Sequence, residues 1–465
     1  MRKNIRTANN LISGDITTAL FRLALPVMGT SFIQMAYNMV DTIWIGRLGS
    51  SEVAAVGTAG FYMWLAFGFI VLAKIGAQVN VAQSIGKNDM TSASTYSAAG
   101  IQSAIIIGFL YTLLVYLFRY ELIGFFNIDD SFVNEMAVRY LQVVVFAVFF
   151  AFINEVFSGI IIGSGNSEFP FKVNMVGLTT NIILDPILIF GIGIVPALGA
   201  RGAAIATLVS QVTVTLIYII FTRRRNFEFL KTKLFQKLFI KEIVENMRIG
   251  LPISLHSIFF TFFSMTLARI VAFWGPLAIA IQRVGGQIES ISWRTADGFS
   301  SSLSSFVGQN FGAGEKERVK TGYLSAIRIM TVFGVFTSLL LIVFSRGIMS
   351  IFIPETEAIA LGSAYLKILG VSQLFMCIEI TTQGAFAGMG RTKPPALVSI
   401  VFNAARIPIA LFLSKTFLEL NGVWWSISLT SIFKGIIMVI WFAFILKKYL
   451  KDSNSGGTDD QFVEW

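Results

Sequence analysis

Long apolar blocks recur along the whole chain, and short polar segments separate them. A helix needs roughly 17–25 residues to cross a bilayer. Blocks of that length lie near 18–45, 53–82, 93–118, 133–162, 171–194 and 202–222. Six more lie near 249–273, 278–308, 322–346, 358–387, 394–415 and 421–446. The pattern predicts an all-α polytopic membrane protein with twelve transmembrane helices.

The polar segments divide the chain into four predicted parts. They are an N-lobe of six helices over 1–222, a basic cytoplasmic linker over 223–245, a C-lobe of six helices over 246–446 and a cytoplasmic tail over 447–465. The first apolar block begins near Thr18 and is too long for the core of a secretory signal. Membrane insertion is therefore expected to start from the first helix itself.

The two halves resemble each other at Gly and Pro positions, where the backbone is most sensitive to sequence. One constant offset relates the pairs Pro26/Pro252, Gly49/Gly275, Gly60/Gly286, Gln83/Gln309 and Gly86/Gly312. A second offset, shorter by a single position, relates the pairs Gly159/Gly384, Gly163/Gly388, Gly165/Gly390 and Pro170/Pro395. Two six-helix halves with the same orientation imply a pseudo-twofold axis along the membrane normal. Transporters built in this way bind substrate between the repeats, near the middle of the bilayer.

Composition and charge fit a membrane protein and exclude several other classes. Hydrophobic residues make up 55% of the chain and charged residues 13%, whereas soluble domains have about 25% charged residues. One Cys and one His exclude a disulfide framework and give no basis for a metalloenzyme or thiol enzyme. A phosphate-binding loop of the G-x-x-x-x-G-K-[ST] type is absent. We therefore expect neither an enzyme nor a cofactor.

The net charge of +10 is explained by orientation. About nineteen Lys and Arg lie in the termini and the loops on their side, and about six lie in the opposite loops. Because cytoplasmic loops are enriched in Lys and Arg, both termini are predicted to lie in the cytoplasm, with the protein in the inner membrane. A nucleic-acid partner is not needed to explain the charge.

Two acidic residues within predicted spans are the strongest candidates for chemistry. Asp41 follows Tyr37 by one helical turn, and Asp185 follows Asn181 by one turn and precedes Pro186. Charged groups inside a membrane are costly, so each is a functional candidate by default. Carboxylate and amide oxygens are ligands that hard cations prefer. The alternative is that each Asp serves as structural hydrogen-bonding glue between helices.

The eighth predicted span carries an unusual set of polar residues. Glu289 and Trp293 share one helix face and could offer a carboxylate and an aromatic wall to a lipophilic cation. Arg294 and Asp297 are interpreted as an internal neutral pair.

Other polar residues within spans are weaker candidates. His256, the single histidine, is either a packing residue or a proton carrier. Lys74 is expected to reach the membrane surface from near a span end. Glu155 and Glu379 occupy neighbouring positions of the two repeats and are considered weak candidates.

Several motifs in this order resemble those of the MATE (multidrug and toxic compound extrusion) family over about residues 10–450. They are LALPVMGTSFIQMAYNMVDTIWIGRLG (23–49), AQSIGKND (82–89), GSGNSEFP (163–170), NIILDPILIFG (181–191), RGAAIAT (201–207), VGQNFGAGE (307–315) and GMGRTKPP (388–395). The chain looks closer to the branch of DinF-type and archaeal members than to the NorM type. The resemblance implies two six-helix lobes that export drugs in exchange for Na⁺ or H⁺.

The resemblance also implies roles for individual residues. The cation-coupling site, a possible Na⁺ site, would comprise Asp41, Asn181, Asp185 and Thr207. Pro26 would be the point at which the first helix bends. Together with the candidates above, the predicted substrate cavity comprises Gln34, Tyr37, His256, Glu289 and Trp293. The acid that NorM-type members place in their seventh helix is missing, since 249–273 contains no Asp or Glu.

These observations predict a secondary active antiporter that works by alternating access. It would export lipophilic, mostly cationic drugs or toxic metabolites in exchange for H⁺ or Na⁺. Its partners would be small amphipathic molecules and membrane lipids, and it would act as a monomer without a cofactor. A lipid-linked oligosaccharide flippase and a channel or receptor-like membrane protein remain as alternatives.

Overall fold

The structure is a computed structural model that describes residues 11–126, 130–193, 196–224, 230, 237–352 and 355–451. This part of the chain contains fourteen α-helices and no strand. They are α1 (Ile16–Gly46), α2 (Ser50–Gly86), α3 (Met90–Leu117), α4 (Arg119–Gly124), α5 (Ser131–Gly163), α6 (Glu168–Phe190), α7 (Ala200–Arg224), α8 (Ile240–Val271), α9 (Pro276–Gly312), α10 (Lys316–Val343), α11 (Ser345–Phe352), α12 (Thr356–Gly388), α13 (Lys393–Leu413) and α14 (Glu419–Lys451).

The twelve long helices coincide with the twelve predicted apolar blocks, which confirms the all-α polytopic fold class. Within the described residues, eleven of them are both long and apolar enough to cross a bilayer. The exception is α9, which has 37 residues but carries Arg283, Glu289, Arg294 and Asp297. A helix of this composition is stable in a membrane only if its polar side chains face protein or a water-filled space.

Two short helices were not predicted from the sequence. α4 and α11 each follow the third long helix of a half, and they begin at equivalent positions, Arg119 and Ser345, with the same offset as Pro26 and Pro252. They were missed because so few residues cannot show a helical period. The matching positions of α4 and α11 show that the internal duplication includes the short helices that follow the third long helix of each half.

Several tight turns between helices are also repeated in the two halves. Left-handed φ angles occur at Gly49 (142°) and Gly275 (88°), and again at Gly165 (92°) and Gly390 (75°). Glycine adopts this conformation at little cost because it lacks a Cβ atom. The repeated Gly positions therefore mark turns that both halves need to connect their helices.

The described chain forms two compact units. The first contains Arg22–Ile258, and the second contains Leu11–Phe21 and the residues from Phe259 onward. The helices α1 and α8 thus each contribute to both units. The lobe boundaries given above stay a prediction. Of the predicted linker over 223–245, residues 225–229 and 231–236 lie outside the described residues, as does the predicted tail beyond Lys451; residues 240–245 belong to α8.

An exposed aspartate caps the first turn of α3. The Asp89 carboxylate accepts hydrogen bonds from the backbone N–H of Ser92 (2.9 Å) and from its hydroxyl (2.6 Å). Such N-caps satisfy donors that have no partner within the helix. The hydrogen bonds from the Ser92 side chain and backbone lower the pKa of the Asp89 carboxyl.

Each unit has a central helix pair that packs through glycines. A Cβ atom on Gly163 of α5 would lie 2.5 Å from the carbonyl oxygen of Gln78 in α2. A Cβ atom on Gly388 of α12 would lie 2.6 Å from the carbonyl oxygen of Ser304 in α9. Small residues allow membrane helices to approach this closely. Because Gly163 and Gly388 are one of the repeated pairs, both units depend on the same helix contact.

We predict that Gly76→Ala destabilises the first unit. A Cβ atom at Gly76 would lie 1.9 Å from the carbonyl oxygen of Asn246 in α8, which cannot rotate away. Overpacking of this kind costs about 1–3 kcal/mol, which corresponds to a fall in melting temperature of roughly 2–12 °C. The measurement is thermal unfolding of the purified protein in detergent.

The matched control is Gly57→Ala on the same helix. No atom lies within 4 Å of a Cβ placed there, so this change should be neutral or slightly stabilising because Ala favours helix over Gly. Equal melting temperatures for the two variants would contradict the predicted contact.

Candidate ion-coupling site

The two candidate carboxylates lie on helices of the first unit, α1 and α6. On α1, Tyr37 and Asp41 are one turn apart, so their side chains point in the same direction. On α6, Asn181 and Asp185 repeat this spacing. Helix α7 packs against α6 and brings Thr207 to the same place.

The structure brings these side chains together within the unit. Asn181 Nδ2 donates a hydrogen bond to Asp185 Oδ1 at 3.2 Å, and both residues are 0% exposed. The Asp41 carboxylate is adjacent to that of Asp185. The Tyr37 hydroxyl faces Thr207 and both carboxylates. The cluster therefore joins two acids to three neutral oxygen-bearing side chains.

Within the described residues, five oxygen atoms of this cluster are buried and make no hydrogen bond of normal geometry. They are Tyr37 Oη, Asp41 Oδ1, Asn181 Oδ1, Asp185 Oδ2 and Thr207 Oγ1. Leaving a buried polar group unsatisfied costs about 1–3 kcal/mol, and more for a charged one. Two adjacent carboxylates also repel each other at low dielectric. A bound proton or small cation would reduce both costs.

The donor set consists of oxygen ligands of the kind that hard cations prefer. Within the described ranges, no group of three or more His, Cys, Asp and Glu side chains is close enough to hold a metal ion. The cluster offers two carboxylates and neutral hydroxyl and amide oxygens, which are the ligand types of hard cations. Assignment of these residues to ion coupling stays a prediction.

Tyr140 of α5 belongs to the same cluster and was missed by the sequence reasoning. Its phenol is buried and lies near the carboxylates of both Asp41 and Asp185. Tyr140 lies shortly before the apolar run 143–153 of α5, and a tyrosine hydroxyl usually needs a hydrogen-bond partner when it is buried. That signal could have identified it as a residue facing polar groups.

A second polar network in the first unit corrects the interpretation of Lys74. Its ammonium group lies 2.7 Å from Glu155 Oε2, and both side chains are largely covered, with exposures of 21% and 16%. Gln34 Nε2 donates to Glu155 Oε1 at 3.4 Å. Lys74 thus pairs inside the protein and does not extend to the membrane surface. Gln34, a predicted cavity residue, therefore contacts a carboxylate whose charge is already balanced by Lys74.

The second unit contains a more deeply buried ion pair. Lys434 Nζ of α14 lies 3.1 Å from Glu379 Oε1 of α12, with side-chain exposures of 7% and 4%. The same oxygen accepts hydrogen bonds from Gln383 Nε2 (3.0 Å) and Ser399 Oγ (3.3 Å). Sequence reasoning considered Glu379 a weak candidate because it was placed near the end of a long predicted span.

Two further charged groups lie close to this pair without belonging to it. Glu289 Oε1 accepts a hydrogen bond from Gln373 Nε2 at 3.2 Å. Arg406 of α13 donates to Thr430 Oγ1 (2.9 Å) and Ser431 Oγ (3.1 Å) of α14. The Arg406 guanidinium interacts electrostatically with the carboxylates of both Glu379 and Glu289.

The remaining predicted cavity residues are divided between the two units. His256 lies on the part of α8 that belongs to the first unit and is partly exposed. Trp293 lies on α9 in the second unit and is 37% exposed. The Arg294 guanidinium lies 4.8 Å from the centre of the Trp293 ring. It also interacts electrostatically with the Asp297 carboxylate. The role of each residue in substrate binding stays a prediction.

Comparison with known proteins identifies the family. The MatE family profile matches residues 26–187 and 252–412, one match in each half. The chain belongs to the MATE family. It is 30% identical over 434 residues to a "Probable multidrug resistance protein NorM" of Thermotoga maritima, and the match covers 92% of each chain. It is 24% identical to "Multidrug export protein MepA" of Staphylococcus saprophyticus, over 89% of this chain and 90% of the relative.

Solved MATE structures share the fold over nearly the whole chain. A crystal structure of MATE in the straight conformation is 25% identical, has a TM-score of 0.86, and matches over 97% of this chain and 100% of its own. A structure described as the outward-facing conformation of a multidrug resistance MATE family transporter has a TM-score of 0.88 at 23% identity, over 95% of this chain and 98% of its own.

Membership of the MATE family settles the broad class of the protein. MATE proteins are multi-pass membrane transporters for multidrug efflux and not enzymes, and their transport is coupled to ions. The duplicated profile match agrees with the internal repeat seen in the sequence. The relatives do not separate the DinF-type branch from the NorM branch, so that assignment remains a prediction.

Proposed function

We propose that this MATE transporter exports amphipathic, mostly cationic compounds in exchange for H⁺ or Na⁺ that binds between Asp41 and Asp185. The supporting observation is the buried pair of carboxylates in a cluster with five oxygens that make no hydrogen bond of normal geometry in the described part of the chain. Two buried carboxylates this close repel each other, and a bound proton or cation reduces that repulsion. The site therefore has a physical reason to bind a cation in one state and release it in another.

The proposed coupling requires the ion to favour one conformation over the other. In the proposal, Asn181 and Thr207 complete the ligand set around the two acids. Binding of the ion draws α1 toward α6 and bends α1 near Pro26, a residue inside a continuous helix whose carbonyl accepts a hydrogen bond from Thr30 (3.0 Å). The pocket that Gln34 and Tyr37 line then closes and releases the substrate outside.

The driving force comes from the ion gradient. Movement of one elementary charge across a membrane potential of 100 mV is worth about 2.3 kcal/mol. This energy is available for export only if ion and substrate do not occupy the first unit together. We propose that the protein acts as a monomer in the inner membrane with both termini in the cytoplasm.

The direct test is efflux from proteoliposomes with the Na⁺ and pH gradients imposed separately. We expect a fluorescent lipophilic cation to be transported against its gradient under at least one of the two ion gradients. The gradient that drives transport identifies the coupling ion. Absence of transport under both gradients, with correctly folded protein, would contradict the proposal.

The lipid-linked oligosaccharide flippase remains the alternative proposal. Such a protein would need several uncompensated cationic groups to hold a pyrophosphate. In the second unit, Lys434 is compensated by Glu379, which favours the drug antiporter. Complementation of a flippase-depleted strain distinguishes the two functions.

A further inference from the structure

The internal duplication allows the ion-coupling cluster of the first unit to be compared with the same positions of the second. Helices α6 and α13 align without gaps in the register of the repeated prolines near their starts, Pro170 and Pro395. For α7 and α14 the structure supplies the register, because Gly202 packs on the carbonyl of Leu188 and Gly422 packs on the carbonyl of Leu413. The positions equivalent to Asp41, Asn181, Asp185 and Thr207 are then Leu267, Arg406, Ala410 and Ile427.

At these positions the second unit therefore has neither acid and carries a guanidinium group instead. Arg406 replaces the amide of Asn181, and an apolar residue stands at each of the other three positions. Thr430 and Ser431, which accept hydrogen bonds from Arg406, are neutral hydroxyls. In the described chain the guanidinium makes no ion pair at contact distance and interacts with the Glu379 and Glu289 carboxylates only at longer range. In the described chain the Arg406 guanidinium donates hydrogen bonds from Nε and Nη2, and the residue stays partly accessible.

The Glu289 carboxylate, which interacts with Arg406, also has no ion-pair partner at contact distance in the described chain. Glu289 accepts one hydrogen bond, from Gln373 to Oε1, and it too is partly accessible. Glu289 and Arg406 interact through space. Within the described residues, however, no Lys or Arg nitrogen lies within 4.0 Å of the Glu289 carboxylate.

Two neighbouring side chains complete the surroundings of these charges. Gln373 is 0% exposed, and among the residues that the structure describes its buried Oε1 has no hydrogen-bond partner. Tyr365 interacts with both Glu289 and Arg406, and its ring packs edge-on against Trp424 at 5.1 Å. An orphaned amide oxygen and a fixed aromatic ring beside two unpaired charges indicate a site that is incomplete without a ligand.

We propose that Arg406 and Glu289 form a binding site in the second unit for zwitterionic compounds, with the ligand's carboxylate on Arg406 and its amine on Glu289. The adjacent Glu379 and Lys434 side chains already form an ion pair. The charges left without a contact partner are the positive one of Arg406 and the negative one of Glu289. A simple cation would satisfy Glu289 and leave Arg406 unpaired. This inference rests on the proposed function, since it names a class of compound that the transporter would accept.

Rhodamine B and its ethyl ester provide a matched pair of probes. The acid is a zwitterion and the ester is a cation, and the two dyes are otherwise alike. We expect Arg406→Gln to weaken binding of rhodamine B about tenfold, the loss expected for a charge-assisted hydrogen bond. Binding of the ester should change less than twofold. Fluorescence anisotropy with purified protein in detergent measures both affinities.

Two further variants sharpen the comparison. Arg406→Lys should retain part of the affinity, because an ammonium group keeps the charge but lacks the planar fork that binds a carboxylate at two points. Arg283→Gln is the control, since Arg283 lies exposed on α9 outside this cluster. It should bind both dyes like the unchanged protein.

The proposal can also fail without any variant. With the unchanged protein, 4-(aminomethyl)benzoate should displace rhodamine B more strongly than its methyl ester does. Equal or weaker displacement by the acid would overturn the zwitterion site, as would equal losses of both dyes in Arg406→Gln or no loss of either. Ion-driven efflux of rhodamine B ethyl ester tests the proposed antiport separately, so failure of the two ideas can be distinguished.

Discussion

Asp41→Asn and Asp185→Asn are each expected to lower ion-driven efflux of a lipophilic cation by at least tenfold. Asn keeps the size of the side chain but removes the charge that the ion neutralises. Without two adjacent carboxylates, the empty site no longer favours ion binding, and the gradient cannot bias one conformation over the other. The measurement is the initial rate of efflux from proteoliposomes under an imposed Na⁺ or pH gradient.

The control is Glu135→Gln, which removes a carboxylate from the same unit. Glu135 is 64% exposed and pairs with Arg139 one turn away, an arrangement that contributes little to stability. Its efflux rate should match that of the unchanged protein. Near-normal coupled efflux by both Asn variants would show that the coupling ion binds elsewhere.

Lys434→Met is expected to destabilise the protein by about 3–5 kcal/mol, the typical cost of removing one partner of a buried ion pair. The change leaves the Glu379 carboxylate in the second unit with the Gln383 and Ser399 donors but no opposite charge at contact distance. A fall in melting temperature of roughly 10 °C would correspond to this loss. Thermal unfolding in detergent gives the value.

The double variant Glu379→Gln/Lys434→Met should recover most of that loss, because no uncompensated charge then remains at the pair. Lys172→Met is the matched control: Lys172 pairs with Glu168 at 2.5 Å, but their side chains are 67% and 66% exposed. Exposed pairs contribute about 0–1 kcal/mol. If Lys434→Met were as mild as Lys172→Met, the buried pair would not stabilise the second unit.

The same reasoning separates what could be predicted about the candidate site from what could not. Asp41 and Asp185 were predictable because a charged residue in a long apolar block is costly wherever the helix packs. Asn181 was predictable from its one-turn spacing to Asp185. Tyr140 was missed, since a single tyrosine in a predicted span gives no sign of which polar groups it will face.

Partners across helices could not be predicted in the same way. Lys74 and Glu155 lie on different helices and far apart along the chain, and so do Glu379 and Lys434. Their pairing depends on which faces of α2, α5, α12 and α14 meet, and each of those helices has only a weak hydrophobic periodicity. Hydrophobic periodicity therefore carries no information about the facing direction.

The sequence by itself determined the number of spans, the duplication and the family. Span length follows from bilayer thickness, and the repeated Gly and Pro residues follow from backbone geometry. Both features can therefore be recognised from short stretches of the sequence. The tertiary structure decided which charges meet. In the first unit two acids with unpaired oxygens lie together. In the second unit the Glu379–Lys434 ion pair lies beside Arg406 and Glu289, which have no ion-pair partner at contact distance in the described chain. Electrostatic energy depends on distance in space and on burial, and neither follows from positions along the chain.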